Sequence, residues 1–177
     1  MEKGYLEITQ LVNLIEEPNR TKCYKLFGDN EKIFLEAKGS KTKHQYWEGG
    51  YLDHIREVMN IAKNLFEALN KIRPLKFKLS DSLVVLFVHD LEKPWKYCSD
   101  MSKKEEFAKF KTTAEFVRSK ILEYGFTLSQ EQWNALKYVH GEGNDYDTLI
   151  RIQTPLAAFV NACDNISARI WPEEPKN

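Results

Sequence analysis

The chain is poor in most of what would mark a secreted, membrane-spanning or nucleic-acid-coating protein. Its three cysteines, Cys23, Cys98 and Cys163, are odd in number and far apart. Without a CxxC or CxxxC spacing they support neither a zinc knuckle nor a thioredoxin-type redox pair. Net charge is absent: 26 basic residues balance 26 acidic ones, so no global field draws the chain to nucleic acid or to an anionic membrane, and no extended nucleic-acid-binding surface is expected. The longest apolar run, Leu83–Val88, is far too short to span a bilayer. The N-terminus carries Glu2 and Glu7 and no apolar core, so a signal peptide is not expected and the reading is cytoplasmic with reduced thiols. Period-two alternation is missing as well, which leaves any single strand without partners.

What is present is helical. At 177 residues and 42% hydrophobic, the chain suffices for one domain with its own core. Leu6, Ile8, Leu11, Leu14 and Ile15 fall at helical intervals before Pro18. Short helices are expected through Tyr24–Phe27, ended by Gly28, and from Glu31 to Ala37. The stretch KGSKTKHQYWEGG, 38–50, reads as a structured loop. Ile55, Val58, Ile61, Ala62, Leu65, Phe66 and Leu69 then mark one buried helix face. The run LVVLFV is β-branched and would pass for a buried strand, but the lack of partners makes it a buried helix opened by Ser80-Asp81. Further helices are expected at about 104–124, 129–139 and 155–170. The expected architecture is all-α and single-domain over 1–177: a helical bundle with an N-terminal helical segment, 1–40, packed on a core of about 44–168.

Histidine is scarce, with four residues, His44, His54, His89 and His140, and its placement is informative. The dipeptide His89-Asp90 ends the apolar run, His54 stands beside the apolar face of its helix, and Asp164 lies inside LAAFVNACDNISARI. Buried carboxylates need a cation or several donors. A divalent metal shared by two imidazoles and two carboxylates satisfies them, and the donor set suits manganese, iron, zinc, cobalt or nickel. Cys163, beside Asp164, reads as a buried inert thiol.

The order H…HD…D, with HDLEK where HDxGK is commoner, resembles the HD superfamily of metal-dependent phosphohydrolases. The segment KTKHQYWEGGYLDHIREVM is similar to HHAYxGGLLEHT of the HD domains in YhaM-type 3′–5′ exoribonucleases, and the likeness runs from about Leu35 to Ala168. Carried over residue by residue, it implies an HD-type bundle in which His54, His89, Asp90 and Asp164 hold at least one divalent ion, with magnesium added to the metals above. It implies phosphoester hydrolysis by an activated water, with Asp90 orienting or deprotonating that water and Lys93 stabilising charge on the phosphate. His140 is a candidate second-metal ligand, phosphate contact or general acid. His44 and Lys43 are candidates to meet a phosphate tail, and Trp95 to stack on a base. The implied partner is a small phosphorylated substrate such as a nucleotide or short oligonucleotide.

Three departures qualify the likeness. The loop holds one more residue between Tyr46 and the glycines, Glu92 replaces a small residue, and a single His140 stands where many two-metal members have paired histidines. The chain also lacks room for the N-terminal OB-fold of the YhaM type, so exonuclease activity on long RNA does not follow. The alternative expectation is a non-catalytic HD module that binds a nucleotide or metal as sensor or inhibitor. An HD-fold oxygenase with a di-iron site ranks last, because it needs more ligands than are visible.

Overall fold

In the computed structural model, which describes residues 4–171, every regular element among those residues is helical. The order is α1 (Ile8–Val12), α2 (Asn19–Asp29), α3 (Glu31–Glu36), α4 (Gly50–Ile72), α5 (Leu79–Val88), α6 (Glu92–Tyr97), α7 (Met101–Ala108), α8 (Thr113–Glu123), α9 (Gln130–Tyr138), a 3₁₀ turn (Gly143–Asp145) and α10 (Pro155–Ile170). No described helix is long and apolar enough to cross a membrane.

The run that could have been a strand is the axial helix. Every residue of α5 from Ser82 to Val88 is buried, because α4, α9 and α10 pack around it and α1 and α2 cover it from the N-terminal side. A helix apolar all round is stable only in such a position. Its first turn begins at Leu79, one residue earlier than expected, and Asp81 closes it by accepting from the Lys78 backbone N–H at 3.0 Å. α4 is amphipathic, and its buried stripe of His54, Ile55, Val58, Met59 and Ala62 faces α5 and α10. α10 opens on Thr154, which caps Ala157 N–H, followed by Pro155 in the first turn, where a missing N–H costs nothing.

One sequence expectation needs correction. Residues 104–124 form two helices rather than one, because Thr112 and Glu115 make a capping box that starts α8. The segment after the dyad, which carries Pro94, forms the short helix α6, since proline is tolerated in a first turn. α6 is anchored from inside. Trp95 is fully buried, its Nε1 donates to Glu106 Oε2 at 2.8 Å, and the buried ammonium of Lys120 lies 5.0 Å from its ring centroid while pairing with Glu106 and Glu123.

Candidate metal centre

α4, α5 and α10 each deliver one part of the site to a common point. His54 sits in the second turn of α4, His89 and Asp90 immediately follow α5, and Asp164 lies mid-way along α10. His54 Nε2, His89 Nε2 and a carboxylate oxygen of Asp164 lie within 4.8 Å of one another, a buried group that can hold a metal ion. His54 Nε2 is 3.3 Å from His89 Nε2, 3.2 Å from Asp164 Oδ1 and 3.5 Å from Asp90 Oδ2. His89 Nε2 is 3.2 Å from Asp90 Oδ2 and 3.5 Å from Asp164 Oδ1. Ligands bound at ~2.1 Å stand ~3.4 Å apart in a tetrahedron and ~3.0 Å apart at adjacent corners of an octahedron. The observed separations, 3.2–3.5 Å, match the tetrahedral spacing to within about 0.2 Å.

The other ring nitrogens strengthen the fit. His89 Nδ1 lies 2.7 Å from the Leu86 carbonyl, which can only accept, so the hydrogen sits on Nδ1 and Nε2 turns its lone pair inward. His54 Nδ1 lies 3.0 Å from Ser167 Oγ, whose hydroxyl is 2.9 Å from Glu57 Oε2. Two inward lone pairs and two carboxylate oxygens make a concentration of acceptors that a cation resolves.

Without an ion, protons and an ammonium take that place. Burial lowers His54 to about 4. Burial also opposes the charge on His89, but Asp90 and Asp164 outweigh it and raise that ring to about 10. Asp90 is held well below the carboxylate range, because His89 and Lys93 overcome the effect of its burial. Lys93 Nζ pairs with Asp90 Oδ2. Asp164 is also lowered, chiefly by the three histidines acting against its burial.

His140, predicted with three possible roles, comes directly to the site. Its Nε2 is 3.3 Å from Asp90 Oδ1 and its Nδ1 is 3.1 Å from Asp164 Oδ2, with 58% of the side chain exposed at the mouth. Asn161, one turn before Asp164, donates to the Val139 carbonyl at 2.7 Å and fastens the end of α9 to α10. Gly141, at φ +103, then turns the chain away. Burial opposes the His140 charge, but Asp164 and Asp90 raise this ring to about 9.

The loop predicted over 38–50 lays His44 against His54, with ring centroids 5.3 Å apart and planes at 27°. His44 Nε2 is buried without a hydrogen-bond partner among the described residues. Gly50 is required here, because a Cβ would come 2.1 Å from the Gln45 carbonyl oxygen. One expected substrate contact is displaced. Trp95 is not at the site mouth: it is enclosed in the core, with its indole N–H engaged by Glu106, and has no face free for a base. Lys43 is exposed, and its only hydrogen bond among the described residues runs from its backbone N–H to Ser40 Oγ.

Comparison with protein-family models, curated proteins and solved structures gives no match.

Sequence reading missed Glu57, Ser167 and Gln45. Glu57 follows His54 by one helical turn and Ser167 follows Asp164 by one turn, so helical spacing placed both beside ligands. Burial raises Glu57, and the bonds from Ser167 and Gln45 counter it. Glu92 is buried beside Asp90; burial first and then repulsion from Asp90 push it to about 7. Cys163 is buried in the core, where burial raises its thiol to about 12, and it does not belong to the group of side chains that can hold an ion, which leaves sulfur out of the donor set.

Proposed function

We propose that the chain is a divalent-metal-dependent phosphohydrolase acting on a small phosphorylated substrate such as a nucleotide. The observation that carries this reading is the convergence of His54 Nε2, His89 Nε2, Asp90 Oδ2 and Asp164 Oδ1, with both imidazoles tied at Nδ1. These four residues would hold the ion. When bound, it supplies Lewis acidity, polarising a phosphoryl oxygen and acidifying water.

The protein's own groups suit the remaining work. Lys93 Nζ stands at Asp90, where an ammonium can take the charge that develops on the phosphoryl oxygens. Asp90 Oδ1 faces the mouth beside His140 and can accept the proton of the attacking water. His140, exposed on its outer side, can hold a proton for the departing oxygen. His44 borders the same space from the loop and can meet a second anionic group.

The test is metal content of protein purified without added metal, followed by a screen of nucleoside mono-, di-, tri- and cyclic phosphates with manganese. Bound metal with turnover, lost in Asp90→Ala, supports the reading. Failure to bind any divalent ion overturns it, and metal bound without turnover on any of these phosphates replaces it with the sensor function.

A further inference from the structure

The two histidine ligands are oriented by different means. His89 is fixed locally, through the carbonyl one turn back in its own helix. His54 has no such neighbour, and its Nδ1 reaches across to α10, where Ser167 Oγ lies 3.0 Å away. A hydroxyl has one hydrogen. Ser167 directs that hydrogen to Glu57 Oε2 at 2.9 Å, and an ionised carboxylate can only accept. The serine oxygen is thus left to accept from His54, which requires the ring hydrogen on Nδ1 and leaves Nε2 bare toward the metal position.

The same carboxylate oxygen has a second donor. Gln45 Nε2 lies 2.8 Å from Glu57 Oε2. Gln45 is buried and is the one non-glycine residue with positive φ, at +42°, among the described residues, a conformation that side chains rarely adopt without support. Its carbonyl accepts from Gly39 N–H at 2.7 Å, so both side chain and backbone are held. The adjacent residue is His44, whose ring stacks on His54.

The geometry points to Glu57 as the positioning residue of this site: one carboxylate oxygen orients His54 through Ser167 and, through Gln45, seats the loop that lays His44 over it. Metal ligand and substrate-facing loop thereby share one anchor, on α4 but outside the ligand set. This rests on the metal-site reading above.

Three variants separate the two arms, read by calorimetric titration of Zn²⁺ into metal-stripped protein and of inorganic phosphate into zinc-loaded protein. Ser167→Ala should weaken zinc binding about tenfold or more and free the His54 Nδ1 hydrogen to exchange, seen by ¹⁵N NMR of the zinc-loaded protein. Gln45→Ala should leave the zinc affinity unchanged and weaken phosphate binding about fivefold. Glu57→Ala should do both. If that variant fails to fold, the other two still test one arm each. Zinc affinities equal to wild type in Ser167→Ala overturn the ligand arm while the metal site stands. Phosphate affinity unchanged in Gln45→Ala overturns the loop arm. Absence of zinc binding in the wild type overturns the metal-site reading itself and this inference with it.

Discussion

His54, His89, Asp90 and Asp164 stand on helices or directly at a helix end, each with 8% or less of its surface exposed, whereas His44 and His140 come from the chain's glycine-marked loops. The floor of the site is held by interhelical packing of α4, α5 and α10. The rim is held by single hydrogen bonds: Gln45 to Glu57, Asn161 to the Val139 carbonyl, and Ser40 to the His44 carbonyl. Groups that would hold a fixed polyhedron lie where the backbone is stiffest. Groups that would meet a substrate sit on loops, which tolerate variation.

Breaking the floor gives the largest effect. Asp164→Ala should reduce metal binding below calorimetric detection, because it removes a ligand oxygen and the partner of three imidazoles. Retained binding at wild-type affinity would remove Asp164 from the ligand set. At the boundary between floor and rim, Lys93→Met should lower kcat by about 10²-fold with metal still bound. An unchanged kcat would leave the ammonium a structural counter-ion of Asp90.

pH sharpens the comparison through opposite signs. His89 and His140, raised to about 10 and about 9, stabilise the metal-free fold fully below the ordinary histidine value of 6.5, and that contribution declines as pH rises through their folded values. His54, lowered to about 4, acts in the other sense and costs stability as pH falls from 6.5 toward 4. Metal needs the imidazoles unprotonated. Between pH 6.5 and 9, therefore, the melting temperature of metal-free protein should fall while metal affinity rises. Parallel trends in melting and titration experiments would contradict the proton-for-metal exchange. The smallest effects belong to Trp95 and Lys43. Trp95→Phe should cost about 1–3 kcal/mol of stability by removing the indole hydrogen bond to Glu106 Oε2 and leaving a gap in the core without altering KM, and Lys43→Ala should leave KM within about twofold. A KM change in Trp95→Phe at unchanged stability would return the indole to the substrate.

The helical class was legible in the sequence because period-two patterning is missing, and the four candidate ligands because their residue types stand at the ends or on the buried faces of strongly patterned segments. Less was legible where one side chain is claimed from far along the chain. Trp95 looks like a base platform beside Lys93 until Glu106 and Lys120 enclose it. His140, in a polar glycine-rich segment, carries no periodic signal. Glu57 and Ser167 stand one turn from ligands, but only the approach of α4 to α10 joins them.

The sealed thiol of Cys163, next to Asp164, has a consequence for supply. With sulfur excluded, the centre offers nitrogen and oxygen alone, and affinities for first-row divalent ions on such donors rise from manganese to copper regardless of which ion serves a reaction. An ion held there would be set as much by what the surrounding medium keeps available as by the donors, so the same chain made in two differently metallated media would acquire two different centres on one unchanged frame.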